Sequence, residues 1–232
     1  MKKLSKDKTL TNPLQRWFRQ IITVQFHKSY YNSRPKIWNN TYWLGVKVGK
    51  CPFDLWIYQE IINDIRPDVI IESGTGRGGS TLFLASCCDL VGNGKVISID
   101  ISDQSNKPRH KRITYLQGSS VSEEIINRVQ QSLSGKDKVL VVLDSDHSMQ
   151  HVLKELNIYS RYVTEGSYII VEDTNVGGHP IKAGHCPGPM EAVKEFIKTN
   201  TSFTVDRSKE KFLLTFNPNG YLKKLAMAKR DS

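Results

Sequence analysis

Apolar residues along this chain alternate between short continuous runs and stretches where they recur every three or four positions. The run beginning at Val69 predicts a strand over Asp68–Glu72, and a helix starts near Ser80. Gly94–Ile101, Arg112–Gln117 and Gly166–Glu172 predict further strands. Val139–Asp144 is nearly all apolar, the mark of a strand buried on both faces. Between the strands, Pro52–Ile65 sets Leu55, Tyr58, Ile61, Ile62 and Ile65 on one helical face. Ser122–Ser132, Gln150–Val163 and Pro189–Lys198 also read as helices. Phe203–Asp206 and Phe212–Phe216, flanking Ser208–Glu210, predict a terminal strand pair. The fold class is therefore α/β: a doubly wound, mostly parallel seven-stranded sheet closed by a C-terminal antiparallel hairpin.

Charge divides the chain unevenly. Residues 1–50 hold eleven lysines and arginines against one acid, while the whole chain carries +10. The same segment holds Trp17, Phe18, Phe26, Tyr30, Tyr31, Trp38, Tyr42 and Trp43, and Leu14, Trp17, Phe18, Ile21 and Ile22 keep helical spacing. This reads as a basic, aromatic-rich helical arm (1–50), a main α/β domain (51–222) and a basic tail (223–232). The domain between the basic ends is mildly acidic, which argues against a nucleic-acid binder. The arm is expected to pack on the domain, with contact to an anionic surface and self-association through its aromatics as further expectations. No run approaches the length of a membrane span, and Met1–Lys8 is followed by no signal-peptide core. The four cysteines lack zinc or disulfide spacing, so a cytoplasmic setting is expected.

In open α/β sheets, ligands bind beyond the carboxyl ends of the strands. The first strand ends in Glu72 and the turn Gly74-Thr75-Gly76-Arg77-Gly78-Gly79-Ser80. Glycines there let backbone amides approach a ligand, and Glu72 suits a cationic or hydroxylated one. The second strand ends at Asp100, where an acid can accept both hydroxyls of a ribose. The third ends at Gln117-Gly118-Ser119-Ser120, suited to a flat base. Together these fit a cationic nucleoside cofactor better than a pyrophosphate.

The fourth and fifth strands end in Asp144-Ser145-Asp146-His147 and Glu172-Asp173. Four carboxylates on neighbouring strands repel one another unless a cation or protons compensate. Hard oxygen donors of this kind suit Mg²⁺ or another divalent ion, with Asp144, Asp146, Glu172 and Asp173 as candidate ligands. Either aspartate could instead cap the following helix. His147 is a candidate general base or a residue that orients a carboxylate. Asn175–Met190, rich in glycine, histidine and proline, has the composition of a loop covering the strand ends.

The motifs Glu72-x-Gly-x-Gly-x-Gly-Gly-Ser80, Val96-Ile-Ser-Ile-Asp100, Gln117-Gly-Ser-Ser120, Leu143-Asp-Ser-Asp-His147, Tyr168-Ile-Ile-Val-Glu-Asp173 and Asn217-Pro-Asn-Gly-Tyr-Leu222, in this order, resemble the cephalosporin hydroxylase family. That family includes rhamnosyl O-methyltransferases and has the Rossmann-like class I methyltransferase fold. The resemblance covers roughly Trp43 to Leu222. It implies S-adenosylmethionine near Glu72, Gly74, Gly76 and Ser80, with Asp100 at the ribose, Ser119 at the adenine side and Asp144 nearby. It also implies a divalent metal held by Asp144 or Asp146 with Glu172 and Asp173. The activity implied is methyl transfer to a hydroxyl of a sugar or natural product, with Asp144 and His147 serving the chemistry. A glycosyltransferase is the competing reading, because Asp144-Ser-Asp146 looks like an Asp-x-Asp motif. A hydroxylase-type member of the same family is another.

Overall fold

The computed structural model describes residues 12–226; the basic run Met1–Lys8 and the last six residues of the basic tail lie outside that range. Helix α1 (Pro13–Tyr31) leads into a short hairpin, β1 (Tyr42–Trp43) and β2 (Val46–Lys47), and then helix α2 (Pro52–Ile65). The alternating body follows: β3 (Val69–Ser73), α3 (Gly79–Val91), β4 (Lys95–Asp100), β5 (Ile113–Gln117), α4 (Glu123–Gln131) and β6 (Val139–Leu143). It closes with α5 (Met149–Tyr159), β7 (Tyr168–Val171), α6 (Pro189–Thr199), β8 (Phe203–Val205) and β9 (Tyr221–Lys224).

Local chemistry sets several helix starts. The Asn12 side chain accepts from Leu14 N at 2.9 Å, with Pro13 in the first turn of α1. Pro52 opens α2, and the Ser122 side chain caps α4.

The seven-stranded sheet runs β5-β4-β3-β6-β7-β9-β8. β3 to β7 pair in parallel, and β9 pairs antiparallel with both β7 and β8. After β5 the chain crosses back to lay β6 beside β3, so strand order reverses between them, where α/β sheets open a ligand crevice. Alternate side chains divide the core. Ile71, Ile99, Val141 and Val171 face α4, α5 and α6 through Ile125, Leu156 and Phe196. Ile70, Val96, Leu140 and Ile170 face α2 and α3 through Ile57, Ile61 and Leu84.

A third cluster joins the N-terminal segment to the body: Tyr31, Cys51, Val176, Ile181, Leu214 and Phe216, with Tyr30 and Trp38 against it. His27 stacks on Phe216, and Asn175 Nδ2 donates to His27 Nε2 at 2.9 Å.

The closing hairpin differs from the sequence expectation in its second strand. Residues 212–216 form a connection without a strand, exposed at Phe212 and Leu213 and buried from Leu214 to Phe216, and β9 follows the Asn217-Pro218-Asn219-Gly220 turn. The fully buried Asp54 explains the difference. Its carboxylate accepts from Thr215 Oγ1 at 2.5 Å and Phe216 N at 2.8 Å, taking donors a strand would need, and Leu213 adopts φ +69°. Lys223 and Lys224, assigned from sequence to the tail, belong to β9.

Candidate active site

The site lies at the carboxyl edge of the sheet, centred on the β3–β6 reversal. Gly74 follows β3 at φ +90°, and a Cβ there would stand 1.9 Å from the Asp144 carbonyl oxygen. Only glycine lets the two strand ends approach this closely. Gly76 has nothing within 4 Å of an added Cβ, and its N–H donates to Asp100 Oδ2 at 2.9 Å. Asp100 also accepts from Ser102 N and Oγ at 2.8 Å each. A cavity of about 610 Å³ opens here, walled by Gly74, Gly76, Asp100, Ser119, Asp144 and Asp146 among others.

Glu72 and Ser80, expected from sequence at the cofactor, do not line this cavity. Glu72 is fully buried and faces α3, where it accepts from Ser80 Oγ at 2.6 Å, Ser98 Oγ at 2.7 Å and Thr81 Oγ1. Alternation along β3 puts Glu72 on the face of Ile70, and its register partner on β4 is Ser98. The pair supports the turn from behind. Ser98, a polar residue between Ile97 and Ile99, was the signal in the sequence for that buried network.

The acidic strand ends of β6 and β7 do meet. Asp144, His147 and Asp173 bring one ligand atom each within 4.8 Å of one another. His147 Nε2 lies 3.3 Å from Asp144 Oδ1, and His147 Nδ1 lies 3.5 Å from Asp173 Oδ2. Two candidate ligands fall outside this cluster. Asp146 is exposed and accepts from Ser148 N at 2.7 Å, an Asx turn just ahead of α5 rather than a cap on the helix itself. Glu172 turns to a residue that sequence reasoning missed: Lys50 Nζ lies 2.5 Å from Glu172 Oε1 and 2.5 Å from Asp144 Oδ2. Lys50 is buried although it sits in a segment rich in lysine and arginine, of which Arg16, Arg19, Arg34 and Lys36 are exposed; its place directly before the Cys51-Pro52 helix start was the one available clue.

The electrostatics follow from this arrangement. Burial opposes charge on Lys50, yet Asp144 and Glu172 raise its pKa above the ordinary lysine value. Burial would raise Asp144, but Lys50 and His147 hold it low. Burial pushes Glu172 up against the pull of Lys50, with Asp144 adding to the rise, and burial also raises Asp173 against His147. Burial disfavours the imidazolium of His147, but the hydrogen bond with Asp144 and the charge of Asp173 lift it to about 9.

A second network backs the cavity wall. Glu155, fully buried on α5, accepts from Ser120 Oγ at 2.6 Å and Ser145 Oγ at 2.8 Å. Asn175–Met190 folds on itself through Gly177 N to Ala183 O (2.9 Å) and Gly178 N to Ile181 O (2.7 Å).

The class of protein built on this Rossmann-like sheet comes from comparison with known proteins. Residues 35–225 match the rhamnosyl O-methyltransferase/CmcI family. The rhamnosyl O-methyltransferase of Mycobacterium leprae (strain TN) is 37% identical over 210 residues, covering 87% of this chain and 90% of the relative. That of Mycobacterium bovis (strain BCG / Pasteur 1173P2) is 34% identical over 208 residues, covering 87% and 84%. A solved structure of CmcI with Mg and SAM shares the fold at TM-score 0.62 and 18% identity, covering 97% of this chain and 90% of that one. The chain belongs to the rhamnosyl O-methyltransferase/CmcI family and is an O-methyltransferase by class. Among the described residues, no helix is long and apolar enough to cross a membrane.

Proposed function

We propose that this enzyme transfers a methyl group from S-adenosylmethionine to a hydroxyl of a sugar or sugar-bearing natural product, assisted by Mg²⁺ or a similar divalent ion. The observation that carries this reading is the meeting of Asp144, His147 and Asp173 beside the Gly74 cavity.

The residues present fit both groups. Two carboxylates and an imidazole within one cluster match the donor preference of a hard or borderline divalent cation. Asp144 and Asp173 would hold it. When bound, such an ion supplies Lewis acidity that lowers the pKa of a coordinated hydroxyl. S-adenosylmethionine supplies a methyl carried on a cationic sulfonium. Asp100 accepts from the ribose hydroxyls through lone pairs left beyond its bonds to Gly76 and Ser102. Gly74 and Gly76 admit the cofactor's amino-acid end, and Ser119 borders the adenine side. Asp144 favours the sulfonium's charge.

His147 lies between Asp144, which faces its Nε2, and Asp173, which faces its Nδ1. With its pKa lifted to about 9, it is charged near neutral pH and orients the two carboxylates, and it takes the acceptor's proton only in its neutral form. Lys50 cancels much of the charge of Asp144 and Glu172, so the strand ends sit side by side without collapsing the site. The Asp-x-Asp reading is weakened because Asp146 turns to Ser148 N and lies outside the cluster that Asp144 joins. A cluster of two aspartates and one histidine also inverts the two-histidine, one-carboxylate set of non-haem iron oxygenases, which disfavours a hydroxylase. Sugar acceptors are supported by the rhamnosyl O-methyltransferases among the relatives.

The test is methyl transfer from labelled S-adenosylmethionine to a panel of rhamnosyl glycosides, with and without Mg²⁺. Metal-dependent labelling of a sugar hydroxyl supports the proposal. Stabilisation by nucleotide sugars and not by S-adenosylmethionine would overturn it.

A further inference from the structure

Helix α1 fastens to the body only through its second half. His27 and Tyr31 are buried there, whereas every residue from Pro13 to Ile22 is exposed. Along it, Leu14, Trp17, Phe18, Ile21, Ile22 and Phe26 recur at offsets of three and four and stand on one face, between 38% and 65% exposed. A contiguous apolar stripe of this kind marks an interaction surface rather than scattered exposure.

The charge around the stripe says what covers it. α1 contains no acidic residue, and Arg16, Arg19 and Lys28 lie on it. Lys2, Lys3, Lys6 and Lys8 precede it in the chain. Laying α1 of a second copy against α1 would bring cation against cation, with no acid on either helix to pair them. An anionic lipid surface meets both needs, since its acyl boundary takes Trp and Phe while its headgroups take Arg and Lys. With 19 residues and its cationic side chains, α1 lies on such a surface rather than crossing it.

We propose that α1 docks this enzyme on an anionic membrane surface. The attachment of α1 is at the active-site edge of the sheet, because His27 bonds Asn175, two residues beyond Asp173. Docking there sets the methyl-transfer site near the lipid surface, where an acceptor carried on a lipid would be found.

The test is flotation of the full chain with vesicles of phosphatidylcholine alone and of phosphatidylcholine mixed with phosphatidylglycerol. Binding is expected only to the anionic vesicles, with release by high salt. The paired substitutions Trp17→Ser/Ile22→Ser and Arg16→Glu/Arg19→Glu should each weaken it by at least about tenfold. All four positions are solvent-exposed, so the variants should keep wild-type circular dichroism and cofactor affinity. No binding to anionic vesicles, or binding that neither variant weakens, would overturn the proposal. So would a dimer dissolved by Trp17→Ser/Ile22→Ser without any vesicle binding, which would assign the stripe to a second copy. Vesicle binding is read independently of turnover, so this outcome is separable from that of the methyl-transfer assay.

Discussion

Lys50 Nζ and Glu172 Oε1 lie 2.5 Å apart across 122 positions of sequence, with the two side chains only 5% and 4% exposed. Glu172 closes β7, Lys50 precedes α2, and the same ammonium reaches Asp144 at the end of β6. One cation thus ties the N-terminal segment to both acidic strand ends.

Removing it should leave two carboxylates without their counter-charge. Lys50→Met is expected to lower stability by about 3–5 kcal/mol, as for other broken buried pairs. Lys50→Met/Glu172→Gln should recover part of that loss, because the variant no longer holds an unpaired charge at Glu172. Urea titrations of wild type, Lys50→Met, Glu172→Gln and the double variant measure both effects. Additive losses would mean that the pair is not coupled.

Two glycines of the same turn should respond differently. Gly74→Ala forces a Cβ to within 1.9 Å of the Asp144 carbonyl, and at φ +90° it is strained besides. It should cost about 2–4 kcal/mol and displace Asp144. Gly76→Ala meets nothing within 4 Å, so it should cost only about 1 kcal/mol of backbone strain. Thermal denaturation distinguishes them.

Asp100 should carry affinity rather than stability. Asp100→Ala is expected to weaken S-adenosylhomocysteine binding roughly 10- to 100-fold, the range for lost hydrogen bonds to a charged group. Isothermal titration of wild type and variant gives the ratio directly.

Acid should loosen the N-terminal attachment. Burial lowers the His27 pKa from 6.5 to about 4, so the folded state prefers the neutral imidazole that accepts from Asn175. Unfolded His27 takes up a proton first as pH falls. Its contribution is therefore full above about pH 6.5 and declines down to about pH 4, by up to roughly 3 kcal/mol. His27→Gln should flatten stability over that window in denaturant titrations run at several pH values.

Strand positions were legible where periodicity and burial agree. Val139–Leu143 and Val69–Ser73 read as buried strands because nothing else in them competes. The polar strand ends pointed to Asp100, Asp144 and Asp173 through the general geometry of α/β sheets. What the sequence hid depends on long-range partners. Lys50 looks like ten neighbouring cations until the fold brings Asp144 and Glu172 to it. Phe212–Phe216 has a strand's composition, yet Asp54 claims its donors from 161 and 162 positions away. Glu72 read as a ligand contact because its face was unknown until Ser98 and α3 were placed beside it.

The central claim is that Asp144 and Asp173 hold a divalent ion next to bound cofactor. Titrating Mg²⁺ into the protein saturated with S-adenosylhomocysteine, by calorimetry, tests it most directly. Wild type should bind one ion per chain, and Asp144→Asn/Asp173→Asn should bind none while still binding S-adenosylhomocysteine. Stoichiometric Mg²⁺ binding that survives in the double variant, or none in wild type, would contradict the account.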